Sequence, residues 1–151
     1  MRTLVGAILI GLVALTAPAA APVSPVAIQG GWMRPAAAGM NGAGYLTLVN
    51  HGRRPDRLIS AASPVAARVT LHRSREVGGV MIMDSVPFLA IPAGGRSVLA
   101  PGGYHLMFEH LARPLRLGDR PMVALTFARA GTLRVRLTVA NAGPATDAMR
   151  M

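Results

Sequence analysis

The chain has no cysteine among its 151 residues, which excludes a disulfide framework, a lipid-bearing cysteine and any site built on thiolate sulfur. Aromatic residues are scarce, with one Trp, two Tyr and three Phe. The stacking platform on which single-strand nucleic-acid binders lay their bases is therefore missing. Acidic residues are few as well: six Asp and Glu stand against sixteen cationic side chains, every one an arginine. The formal charge of +10 is scattered along the chain rather than gathered in one stretch, so nucleic acid is not expected as a partner; the charge reads first as a solvated cationic surface that keeps the protein soluble, with docking onto an acidic protein or anionic membrane face as the alternative. Long apolar runs are also lacking. The one sustained run, Leu4 to Leu15, falls short of the roughly 20 residues that span a bilayer, and no stable membrane insertion is expected.

That run has a different reading. Met1 and Arg2 precede it, and Ala17, Pro18 and Ala19 come after it as an A-x-A site, the pattern of a secretory signal peptide over residues 1–19. The chain is then an exported, periplasmic protein. The remaining length suffices for one domain with a sizeable core, placed at residues 24–141, and residues 142–151, with Gly143, Pro144 and Asp147, read as a frayed tail. No segment keeps a 3.6-residue period for three turns. Short runs rich in Val, Ile, Leu, Thr and Tyr alternate instead with Gly, Pro, Asn and Asp. Strands are expected at Val26 to Met33, Gly44 to Val49, Asp56 to Ser60, Arg68 to Arg73, Val80 to Val86, Phe88 to Ile91, Arg96 to Leu99, Tyr104 to Phe108, Met122 to Phe127 and Leu133 to Val139. The fold class is all-β, an antiparallel sandwich or barrel.

Two imidazoles and two thioethers stand out: His72, Met83, His105 and Met107. Thioether sulfur is soft and uncharged, imidazole is borderline, and together they favour Cu(I) over zinc, calcium or magnesium. His105 and Met107, two apart on a strand, leave the same face. The segment Glu76, Val77, Gly78, Gly79 carries a hairpin signal. A four-residue loop there sets His72 directly across from Met83, again on one face. Other candidates weigh less. Met81 shares the face of Met83 and is read as packing or exposed. Met40, Met149 and Met151 are peripheral, His51 and His110 are surface residues, and Trp32 and Tyr104 are core or rim aromatics.

Catalysis finds little support. A blue-copper centre needs a cysteine thiolate, a zinc hydrolase wants further imidazoles or a carboxylate, and Ser85 and Ser97 lack a nucleophile elbow; near the donors in sequence only Asp84 and Glu109 carry carboxylates.

The spacing of the four donors resembles the H(M)x10Mx21HxM pattern of the periplasmic copper(A) chaperone family (PCuAC). Gly31, Trp32, Met33, Arg34 resembles that family's W-x-R opening, Gly44 to Leu48 its second strand, and Pro101 to Met107 its metal-binding turn. Pro114, Leu115, Gly118 and Phe127 continue the similarity, which covers about Ile28 to Val139. The resemblance implies a cupredoxin-like Greek-key β-barrel with one copper, as Cu(I), on His72, Met83, His105 and Met107. It implies delivery toward the dinuclear copper centre of cytochrome c oxidase, with the oxidase copper subunit as acceptor and a thiol-bearing copper assembly factor as a further partner. The competing expectation is a secreted structural or adhesive β-sandwich that binds an acidic partner through its arginines.

Overall fold

A computed structural model describes residues 24–143. The expected signal peptide and all of the expected tail except Ala142 and Gly143 lie outside the described residues. Eleven strands succeed one another: β1 (Val26–Met33), β2 (Gly42–Asn50), β3 (Asp56–Ala62), β4 (Ala66–Val77), β5 (Val80–Ser85), β6 (Leu89–Ile91), β7 (Arg96–Leu99), β8 (Tyr104–Leu111), β9 (Met122–Phe127), β10 (Gly131–Arg136) and β11 (Thr138–Val139). The described residues contain no helix long and apolar enough to cross a membrane. Ten strands are expected from the sequence and eleven are found. The difference is the last expected strand, which divides around Leu137, a fully buried residue between β10 and β11.

Period-two burial explains why these segments are strands. In β9, Val123, Leu125 and Phe127 are buried while Met122, Ala124 and Thr126 are half-buried, the signature of a sheet with one face on a core. The strands pair in the order β10, β9, β3, β4, β8, β7, β2, β1, β11, with β6 beside β3, β5 beside β4 and β8 also bonded to β2. All pairings are antiparallel except β1 with β11 and β7 with β8. The path folds over a single core. Met33, Leu46 and Leu48 meet Leu58, Val123, Leu125 and Phe127 there, with Leu106 and Phe108 of β8 among them. Close approach of β2 to β8 requires a residue without a side chain. At Gly44 a Cβ would sit 2.8 Å from the Phe108 ring and 3.1 Å from Leu137.

Two buried polar side chains tie the loops at one end. The carboxylate of Asp56 accepts from the backbone N–H groups of Arg57, Arg129 and Ala130, and Asn50 accepts from Gly52 N–H while donating to the Arg54 carbonyl. Both groups are satisfied, as buried polar groups must be.

One expectation needs correction. The β4–β5 hairpin closes on a two-residue turn, Gly78 and Gly79, with Val77 opposite Val80. His72 therefore lies across from Ser85, and Met83 across from Ser74. Both glycines adopt positive φ, 58° and 79°, the conformation a tight hairpin turn requires and glycine supplies without strain. With the turn that short, the pairing slides by one residue pair, and Val77 and Val80 extend the ladder.

Candidate metal centre

β8 is buried on one side through Leu106 and Phe108, and its alternate residues His105, Met107 and Glu109 point to the opposite, outer face. Register then places the rest. His72 of β4 is directly opposite His105, and Thr70 is opposite Met107. Ser74 is opposite Met83 on the other side of β4. Directly opposed residues share a face and the pairing is unbroken across both ladders, so His72, Met83, His105 and Met107 all project from the same outer face of β5, β4 and β8. The one-pair slide of the hairpin preserves this, since Met83 moves by two residues and keeps its side.

The two imidazoles form the middle of the arrangement. Their ring centroids are 5.8 Å apart with planes tilted by 35°. Metal–imidazole bonds of about 2 Å allow two rings on one ion to have centroids up to about 6.3 Å apart, so this pair is within bridging range. Met107 lies two residues beyond His105, roughly 7 Å along the strand. Met83 is diagonal to His72, a relationship of about 7 to 8 Å between backbones and within reach of a long side chain. The thioethers thus flank the imidazole pair on opposite sides along the strands. Exposure is graded: His105 is 4% exposed, His72 and Met107 are half-buried, and Met83 is 50% exposed.

Hydrogen bonds set the ring nitrogens. Nδ1 of His105 lies 3.2 Å from the Gly103 carbonyl. A carbonyl only accepts, so Nδ1 carries the proton, and Nε2 is the nitrogen that can offer a lone pair. On His72, Nε2 lies 3.0 Å from the Thr70 hydroxyl, while Nδ1 is buried and has no partner. An unpaired buried nitrogen is costly unless something else occupies its lone pair. Burial, and next the proximity of His105, holds the His72 pKa below its ordinary value of 6.5, so the ring is a neutral donor at neutral pH. Among the described residues no three His, Cys, Asp or Glu side chains group to hold a metal. An ion at this face would consequently depend on thioether sulfur, and the donor set suits a soft monovalent ion rather than zinc.

Other side chains surround the four candidate residues. Tyr45 of β2 lies beside His105 at 6.5 Å between centroids, and Trp32 stacks on Tyr45 at 4.8 Å, giving a row of four rings across β1, β2, β8 and β4. Trp32 thus reaches the site through Tyr45. Tyr104 is on the other face, under Arg73. Thr70 and Glu109 join the network around His72 through a 2.8 Å bond. The sequence marks Glu109 only as a nearby carboxylate and Thr70 not at all; strand parity is the signal that links them to the site, since Thr70 precedes His72 by two residues and Glu109 comes two after Met107. Met81 shares the face of Met83 but pairs with Glu76 nearer the hairpin tip, and is 58% exposed. Met40, 61% exposed, bonds through its carbonyl to Leu111 at the far end of β8. His51 and His110 are exposed. Met149 and Met151 lie outside the described residues.

Residues 26–139 match the sequence profile of the LpqE-like family, described as a lipoprotein family, although the 151 residues hold no cysteine to carry a lipid. A protein of Leifsonia xyli subsp. xyli that bears a lipoprotein name is 33% identical over 145 residues, 91% of this chain and 87% of its own. Among solved structures, apo-DR1885 from Deinococcus radiodurans is 34% identical with a TM-score of 0.58, over 92% of this chain and 95% of that one. The CuI-DR1885 structure is 32% identical with a TM-score of 0.59, over 81% and 80%. The copper-bound PCuAC domain from PmoF2 shares the fold at 24% identity and a TM-score of 0.65, over 79% and 95%. The sandwich is thus the cupredoxin-like one expected from the sequence.

Proposed function

The chain belongs to the LpqE-like family and has the fold of PCuAC domains, and from that premise we propose that it is a periplasmic copper chaperone, carrying one Cu(I) on His72, Met83, His105 and Met107. The observation that carries this reading is the outer face of β8 and β4, where two opposed imidazoles at 5.8 Å are flanked by two thioethers and one imidazole nitrogen is buried without a partner. Support also comes from a relative one-third identical whose Cu(I) form is known. The protein is a carrier and not an enzyme: its task is to hold the ion selectively and give it up.

The donor chemistry suits both halves of that task. Thioethers select a soft ion and are neutral, so they leave it without proton transfer. Met83, half exposed at the rim, is the donor an incoming ligand replaces first, and His105 at the buried end is the last to let go. Copper stays monovalent throughout, and each protein–copper bond broken is matched by one formed to the acceptor. The acceptor we assign is the copper subunit of cytochrome c oxidase at its dinuclear centre, alone or beside a thiol-bearing assembly factor.

Anaerobic titration with Cu(I) under reducing conditions tests the site. One equivalent should bind, and His105→Ala or Met107→Ala should abolish binding while the far-UV spectrum stays that of a β protein. Binding by both variants as tight as the parent's would overturn the assignment. An adhesive β-sandwich acting through its arginines would bind no stoichiometric copper at all.

A further inference from the structure

Glu109 is held in place from one side. Arg68 donates to its Oε2 from Nε at 3.1 Å and from Nη2 at 2.7 Å, a forked contact that favours the ionised carboxylate. Arg68 is largely exposed, so this pair contributes little to stability; what it fixes is the direction of the other oxygen. That oxygen, Oε1, lies 2.8 Å from the Thr70 hydroxyl. A carboxylate has no proton to give, so the single hydroxyl proton of Thr70 goes to Glu109. The hydroxyl can then only accept at its remaining contact, the 3.0 Å approach of His72 Nε2. Nε2 must carry the proton, and the bare nitrogen of the neutral ring is Nδ1, the one that is buried and unpartnered.

His105 is set the other way, with Nδ1 protonated toward the Gly103 carbonyl at 3.2 Å and Nε2 bare. We propose that Thr70 and Glu109 are positioning residues that lock His72 in the Nε2–H tautomer, so that it meets copper through Nδ1 while His105 meets it through Nε2. This rests on the copper-carrier reading for its purpose, but the tautomers belong to the metal-free protein and can be read there. An outer hydrogen-bond partner of this kind fixes both which nitrogen is offered and the ring's orientation.

The chain of donors makes a sharp prediction for one conservative change. In Glu109→Gln, the amide oxygen stays with Arg68 and the amide NH2 faces Thr70. The hydroxyl then accepts from the amide and donates to His72 Nε2, which drives the ring to the opposite, Nδ1–H tautomer.

Long-range ¹H–¹⁵N correlation of the ring nitrogens in the metal-free protein, at a pH where the rings are neutral, reads this directly. The wild type should show His72 protonated at Nε2 and His105 at Nδ1. Glu109→Gln should invert His72 alone, Thr70→Val should leave it a mixture, and Thr70→Ser should restore the wild-type pattern. Cu(I) affinity should fall by about tenfold to a hundredfold in Glu109→Gln and Thr70→Val, and on loading the wild type the His72 Nδ1 resonance should move while Nε2 keeps its proton. A His72 that is Nδ1–H in the wild type, or whose tautomer is the same in all four proteins, overturns the relay. A wild type with the stated tautomers that binds no Cu(I) overturns the copper reading of the site and leaves the relay standing.

Discussion

At the scale of single residues, the proposed donors stand out in the sequence and the side chains packed around them do not. His72, Met83, His105 and Met107 could be picked out because soft sulfur and imidazole in a chain without cysteine have few other joint uses. Thr70, Glu109 and Tyr45 are ordinary residues, and they matter only through contacts across strands, such as the Thr70 to Glu109 bond spanning 39 positions. The same environment fixes how the site responds to acid. Burial and the nearby His105 hold the His72 pKa down, so on acidification the unfolded chain takes up a proton near 6.5 before the folded one does. Stability conferred by the neutral ring is thus present above that value and is lost as pH falls toward the lowered folded pKa. Glu109, held below the usual carboxylate range first by Arg68 and then by Thr70, confers stability above its ordinary pKa that is lost only as pH falls through its own lowered value, in a more acidic window. Urea unfolding of the metal-free protein should show two separate declines. His72→Gln should flatten the first and leave the second; an unchanged profile would rule this origin out.

At the scale of elements, strand positions could be read from composition, but strand pairing could not. Three of the ten expected strands, β1, β7 and β9, have the observed ends; Pro25, Gly95 and Pro121 stand immediately before them. β4 runs to Val77 rather than Arg73, because a Gly-Gly turn needs no longer loop. That shift moved Met83 from direct opposition with His72 to the diagonal. The face survived because side-chain direction has a period of two, so parity along a strand is robust to a slide of one residue pair while register is not. β5 pairs with β4 on one side, so Met83 depends on that hairpin for its place. At Gly79, φ is 79°, and a β-branched residue there is strained by about 1 to 2 kcal/mol. Gly79→Val should loosen the arm and lower Cu(I) affinity by about tenfold, the equivalent of 1.4 kcal/mol, with little change in global unfolding. Met81→Ala, nearer the tip, should leave affinity as it was. Equal losses in Met81→Ala and Met83→Ala would mean the arm holds copper in some other way.

At the scale of the whole molecule, an all-β single domain was readable because short runs rich in Val, Ile, Leu and Thr alternate with turn residues; that β8 pairs with both β4 and β2 was not, since those pairings are distant in sequence. This placement gives β8 two independent duties. Its inner face carries Leu106 and Phe108, both buried to 1% exposure or less, and its outer face carries His105 and Met107. Stability and binding are therefore separable on one strand. Phe108→Ala removes a ring packed against the Gly44 backbone and should cost about 3 to 5 kcal/mol, whereas His105→Ala should cost far less and remove copper binding. The two effects should cross. A ligand that binds only the folded state stabilises by about 4 kcal/mol at a thousand times its Kd, so free Cu(I) at that excess should restore most of the unfolding midpoint of Phe108→Ala and leave that of His105→Ala unmoved. Copper that stabilises His105→Ala as much as the parent would place the ion elsewhere on the molecule.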